Sequence, residues 1–252
     1  MKEVHYMKAF MSALRKTLPL LLVGVIMLGL TPAASASSFA YSYSNVEQAR
    51  RLALDCLMTC GFSQEYGANG VNGQGTMLTR WEDTIKIHVS GSPSQSDLSE
   101  LDEFIMECAT HCPNMPNIRL VDSENQANVT IWYGPLDQLQ YHSEYYVEGN
   151  WGFFSYWYNG QYQMSRGEIV IATDVNTTDS KNHLLREELM GMFGLTNDQS
   201  VYSDSILYTE WTTTQELSDV DWLMLNMLYD PDLSTGMSGQ EARGILERKI
   251  AA

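Results

Sequence analysis

The 252-residue chain predicts an α+β fold: a mixed, twisted sheet of four or five strands with helices packed on it. Three observations predict this. Short apolar runs of period two, such as Ile85-Lys86-Ile87-His88-Val89, are interspersed with stretches whose apolar residues recur every three or four positions. The helical stretches carry their own start and stop residues, Ser or Asp before and Gly or Pro after. Hydrophobic residues make up 44% of the chain, which suits one packed core of ordinary size and excludes global disorder. No internal repeat is visible.

Residues 1–36 read as a signal peptide. Lys2, Lys8, Arg15 and Lys16 form a basic region, and Leu18 to Leu30 form an apolar core interrupted by Pro19, Gly24 and Gly29. Ala34-Ser35-Ala36 supplies an A-x-A cleavage site. The apolar run is shorter than the roughly 20 residues a membrane span needs. A secreted or extracytoplasmic product is therefore expected, with no stable membrane span after cleavage. No cysteine lies near the cleavage site, which argues against a lipoprotein. The formal charge of −16 becomes −19 on cleavage, because the segment carries four basic residues and one acidic one, Glu3. Such acidity suits solubility outside the cell and argues against nucleic acid or an anionic membrane as partner.

Residues 37–77 hold an N-terminal helix and a Gly/Asn-rich loop. The helix covers 45–60, after Ser44 or Asn45, and stops at Gly61; the loop runs from Tyr66 to Gly75. Ile85 to Val89 alternates as a strand with Ile85, Ile87 and Val89 inward and His88 outward. A second helix covers 97–111, capped by Asp97 and stopped before Pro113. Each helix carries a C-x-x-x-C pair, Cys56/Cys60 and Cys108/Cys112, and residues four apart share a helical face. In an oxidising compartment two antiparallel helices would be stapled by Cys56–Cys112 and Cys60–Cys108. A four-thiolate zinc site is the alternative, but such sites use tighter C-x-x-C knuckles, and the signal peptide favours disulfides.

Two strands follow at 117–121 and 128–133. A polar, aromatic loop with Tyr141, His142, Tyr145 and Tyr146 leads to an aromatic strand from Trp151 to Tyr158, a turn at Asn159-Gly160, and the most apolar strand, Glu168 to Ala172. Tyr145 and Trp151 are binding candidates, since exposed aromatics suit flat apolar or sugar surfaces, and His183 and Asn197 are two more. The plainer reading, that these rings pack on the sheet edge, ranks first. Residues 174–180 connect to a central helix at 183–194, which packs with helix 97–111 on one face of the sheet. Residues 238–252 read as a C-terminal tail.

The central stretch, His183 to Asp198, places Leu184, Leu185, Leu189, Met192 and Phe193 mostly on one side, with Gly194 as the natural stop. Glu187 and Glu188 point about 100° apart, so both cannot face solvent if the apolar side is packed. The spacing resembles the metzincin pattern H-E-x-x-H-x-x-G-x-x-H. Glu188 takes the place of the base and Gly194 that of the turn glycine, while the three histidine positions fall on Glu187, Gly191 and Asn197. Ser205-Ile206-Leu207 resembles the turn under a metzincin metal, with Leu207 where methionine is expected. Leu217 to Tyr229 resembles the closing helix of matrixins, with Ser218 as N-cap and Asp219 and Asp221 at its positive end.

Residues 78–237 also resemble a bacterial, extracytoplasmic domain family of unknown function. The resemblance rests on Glu187-Glu188-Leu189, Phe193 to Asp198, Ser205-Ile206-Leu207 and Leu228-Tyr229-Asp230-Pro231 through Gly236-Met237. Arg80-Trp81 and Ala127-Asn128 fit it too. It implies a zincin-like fold with a degenerate active-site helix, and it supplies no activity.

Gly191 has no side chain, so the i, i+4 pair that grips zinc from one helix face is missing. No metal or other cofactor is expected. Glu187 with His183 one turn earlier makes a two-ligand stub unless Asp198 joins, and its plainer reading is an ordinary i, i+4 pair. Glu187 and Glu188 also form a paired-carboxylate candidate. Asn197 and Asp198 suit the turn leaving the helix, and a buried Glu188 is expected to anchor there or on Ser205. The sequence thus predicts a non-catalytic domain that binds an extracellular protein, peptide or glycan. The alternatives are a peptidase-like hydrolase with an altered carboxylate or metal site at Glu187/Glu188, with Asp198 as the third catalytic candidate and His183 beside them, or a structural or envelope-associated protein.

Overall fold

A computed structural model describes residues 4–7, 46–64, 73–74 and 76–252. The signal-peptide reading therefore lies outside the described residues, save for Val4–Met7. The strands are β1 (Val4–Met7), β2 (Ser63–Gln64), β3 (Gly73–Gln74), β4 (Ile85–Gly91), β5 (Ile118–Leu120), β6 (Val129–Gly134), β7 (Gly152–Tyr158) and β8 (Met164–Ala172). The helices are α1 (Val46–Cys60), α2 (Gln95–His111), α3 (Thr178–Met192), α4 (Asp219–Leu228) and α5 (Gly239–Ile250).

The α+β prediction holds. Five strands form a mixed sheet in the order β7-β8-β6-β4-β5, and β1 runs antiparallel along the β7 edge. Strands β8, β6, β4 and β5 are parallel neighbours, and β7 pairs antiparallel with β8. Parallel neighbours need crossovers, which α2 supplies between β4 and β5. The short pair β2–β3 stands apart.

Strand β8 explains its own apolar run. Ile169 and Ile171 enter the main core, while Val170 and Ala172 enter a smaller core on the other face with Leu139 and Phe153. A strand buried on both faces cannot alternate with polar residues. Helix α3 covers the first face against β7 and β8, and α2 packs beside it. The 3₁₀ segment Leu136–Tyr141 and the loop after it cover the second, where Tyr145, Tyr146 and Trp151 pack against the smaller core.

Several sequence expectations shift. Helix α2 is capped by Ser94, and Asp97 is the third residue of a capping box, so the Ser94 side chain and Asp97 bond each other's backbone N–H. Helix α3 begins at Thr178 behind the cap Thr177, five residues before His183. Residues 238–252, read as a tail, form α5, capped by Ser238 and packed on α1 through the core residues Ala242, Leu246 and Ile250.

The disulfide expectation is overturned. Cys56, Cys60, Cys108 and Cys112 are all buried free thiols. Helix α1 packs chiefly on α4 and α5, whereas α2 packs on α3 and β5, so the antiparallel α1–α2 pair that the staple required is not built.

Candidate functional site

Helix α3 is buried beyond its first turn: Thr178 to Asn182 are exposed or half-buried, and every residue from His183 to Met192 is buried. An amphipathic helix would leave one side wet; this one is enclosed by sheet, α2 and the segment that follows it. Gly194 ends it at φ +119°, a left-handed conformation that favours glycine, and a β-carbon there would lie 2.6 Å from the Thr79 carbonyl oxygen.

The residues that carry the family resemblance converge on that end. The Trp81 indole donates to the Met192 carbonyl at 2.8 Å, and the Tyr229 hydroxyl donates to the Phe193 carbonyl at 2.9 Å. Both satisfy acceptors that a helix C-terminus leaves open. Arg80 donates to the Leu228, Asp230 and Leu233 carbonyls at 2.6, 3.3 and 3.0 Å, and to Glu82 at 2.9 Å. Asn128 bonds Thr84 O and Lys86 N, tying β6 to β4.

The three positions that would hold zinc in a metzincin pattern are occupied as follows. Glu187 is buried beside His183, with Oε2 3.5 Å from Nε2. His183 Nδ1 lies 2.6 Å from the Thr214 carbonyl, and the edge of Trp211 packs on the ring at 5.1 Å. Gly191 faces β7, where the Phe154 ring sits so close that a β-carbon would meet Cε1 at 2.4 Å. Asn197 turns away to the end of α1, its N–H bonding Cys60 O at 3.1 Å and its side chain donating to Ser63 at 2.7 Å. Among the described residues, no group of three or more His, Cys, Asp or Glu is placed to hold a metal ion.

Glu188 Oε1 lies 2.9 Å from where a β-carbon on Gly152 would sit, at the start of β7. Ser205 donates to Asp221 Oδ1 at 2.5 Å, and Asp221 Oδ2 accepts from Ile206 N, Ser218 N and the Ser218 hydroxyl at 3.1, 2.9 and 2.7 Å. Burial pushes the Asp221 carboxyl up, against these hydrogen bonds, which favour its charged form. The Ser205–Leu207 turn is thus pinned to α4. Asp198 is half-buried.

Sequence reading missed the cations of α3. Arg186 is buried and bonds Glu100 at 2.5 Å and Glu107 at 2.6 and 3.2 Å, over the Phe104 ring. Lys181 pairs with Asp97 at 2.6 Å. The α2 acids Glu100 and Glu107, seven apart on one face, were the available signal. Tyr145 donates to Glu144 at 2.8 Å and leans on Trp157, and Trp151 leans on Trp211, so neither aromatic candidate is a free platform.

On the opposite face of the sheet an open cleft of about 400 Å³ is lined by Trp132, Tyr141, His142, Glu124, Glu144 and Glu168, among others. His142 stacks on the Trp132 indole at 3.8 Å and 10°, and Tyr141 is 75% exposed beside it. Glu168 is engaged by Arg166 and by the Glu144 N–H at 3.1 Å. Sequence placed Tyr141 and His142 in this loop but gave no signal for the cleft, which needs β4, β6 and β8 side by side.

The sequence model of a family described as "Protein of unknown function (DUF2927)" matches residues 53–248. No curated protein matches the chain.

Proposed function

The chain belongs to the DUF2927 family, and on that premise we propose that it is an extracytoplasmic, zincin-like domain that binds a ligand and does not cut it. The observation that carries this reading is the filling of the Gly191 position by Phe154, with Glu187 and Glu188 buried at 1% and 2% exposure. A hydrolytic zinc needs three protein ligands and an open coordination position. Here a ring stands where one ligand would project, and the carboxylates serve the core. The cleft around Tyr141 and His142 supplies the binding surface, in the size range of roughly 300–1,000 Å³ usual for ligand sites. Its rings and carboxylates suit a sugar or a peptide.

The peptidase-like alternative draws its support from the buried His183–Glu187 contact. Peptide cleavage by the mature wild-type chain and by Glu188→Gln, with and without a chelator, separates the two. The binding reading expects no chelator-sensitive cleavage in either protein. Stoichiometric zinc with cleavage that Glu188→Gln abolishes would overturn it. Amide-shift mapping with short oligosaccharides and peptides should then perturb residues 141–144; shifts confined elsewhere would displace the cleft as the binding surface.

A further inference from the structure

We propose that Cys108, Cys112 and Met115 form a three-sulfur site for a copper(I) ion. The three residues line one small cavity of about 110 Å³, at the junction of α2 and the turn leading to β5. The cysteines are 2% exposed and the methionine 8%. Positions 108 and 112 lie one turn apart, and the chain tightens through Cys112 N→Cys108 O at 2.9 Å and Met115 N→Cys112 O at 3.1 Å. The cavity exceeds several waters' share of liquid volume, at roughly 30 Å³ each.

The surroundings distinguish this pair from the other. The Cys56 thiol donates to Gln199 Oε1 at 3.8 Å within the packed core, and burial together with Asp221 and Asp55 pushes it up to about 12. Burial also raises Cys108 and pushes Cys112 up to about 12, and at Cys108 the neighbouring Cys112 and Glu107 add more to the rise than Arg186 offsets. The two pairs are therefore separated by space: Cys108 and Cys112 line the cavity with Met115, whereas Cys56 bonds within the packed core. The copper ion itself would supply the positive charge that two thiolates need.

The donor set selects the ion. Two thiolates and a thioether are soft ligands in low number, which suits copper(I). Zinc takes at least three thiolate, imidazole or carboxylate ligands from the protein, and among the described residues no third His, Cys, Asp or Glu joins the pair. On binding, each thiol releases its proton and two copper–thiolate bonds form, with Met115 Sδ as the third donor; the ion stays copper(I) throughout.

The reduced, full mature chain is titrated anaerobically with copper(I) against a chromophoric copper(I) chelator. The proposal expects one copper per chain, and X-ray absorption showing sulfur neighbours only. Cys108→Ser/Cys112→Ser should lose the ion, and Cys56→Ser/Cys60→Ser should keep it. Met115→Leu, close in volume, keeps the fold and should weaken binding at least about tenfold. Absence of uptake in the wild type, retention of the ion by Cys108→Ser/Cys112→Ser, an unchanged affinity in Met115→Leu, or nitrogen and oxygen neighbours would each overturn the proposal.

Discussion

The Phe154 ring on β7 occupies the space that a side chain on Gly191 of α3 would need; Cε1 lies 2.4 Å and Cζ 2.6 Å from the position of a β-carbon there. Glycine inside a helix costs about 1 kcal/mol relative to alanine, so in open surroundings Gly191→Ala would stabilise α3. Here the sign reverses. The added methyl forces the ring or the helix to move, which costs about 1–3 kcal/mol. Urea unfolding should show a lower midpoint for Gly191→Ala, partly restored by combining it with Phe154→Leu. A stabilised Gly191→Ala would refute the close packing.

The Lys181–Asp97 pair ties α3 to α2. Burial opposes the charged form of Asp97, but hydrogen bonds from Lys181 and Ser94 outweigh it and hold the carboxyl below its ordinary range. A carboxyl lowered in the folded state contributes stability above its unfolded value, near 4, and loses that contribution as pH falls through the folded value. Asp97→Ala should therefore cost roughly 3–5 kcal/mol at neutral pH, as for a buried charge deprived of its partner. The gap to wild type should stay level from pH 7 to about 5 and narrow below about 4. A gap that widens on acidification would contradict the assigned direction.

Tyr229→Phe removes one donor from the Phe193 carbonyl at the end of α3. The site is fully buried, so the carbonyl loses its partner without gaining water, at roughly 1–3 kcal/mol. Chemical denaturation checks the size. The cost should be smaller for Tyr162→Phe, at a half-exposed ring.

Much of the fold was legible because its signals are local. Ser218 before α4, Gly194 after α3 and the alternation in Ile85 to Val89 each act within one turn or one strand. The α2 cap was misplaced by three residues because Ser94 and Asp97 bond each other reciprocally, and either residue alone reads as a cap. The Ser238–Glu241 capping box of α5 lies in the sequence, but the short helix after it gains its place only by packing on α1. The cysteine pairing failed because it depends on which helices are neighbours, and a shared C-x-x-x-C spacing says nothing of that. Within the site, the missing ligand at Gly191 was legible, but its cause was not: Phe154 lies 37 positions away in sequence and meets Gly191 only through the pairing of β7 with β8 under α3.

The central claim is that Glu188 is kept for the structure of α3. Urea unfolding of Glu188→Gln tests it most directly. Replacing a catalytic carboxylate commonly leaves stability unchanged or raises it, because active sites trade stability for function. Replacing a buried structural one costs roughly 1–3 kcal/mol. The account predicts a destabilised Glu188→Gln with an unchanged far-ultraviolet spectrum. A variant as stable as wild type, or more stable, would contradict it.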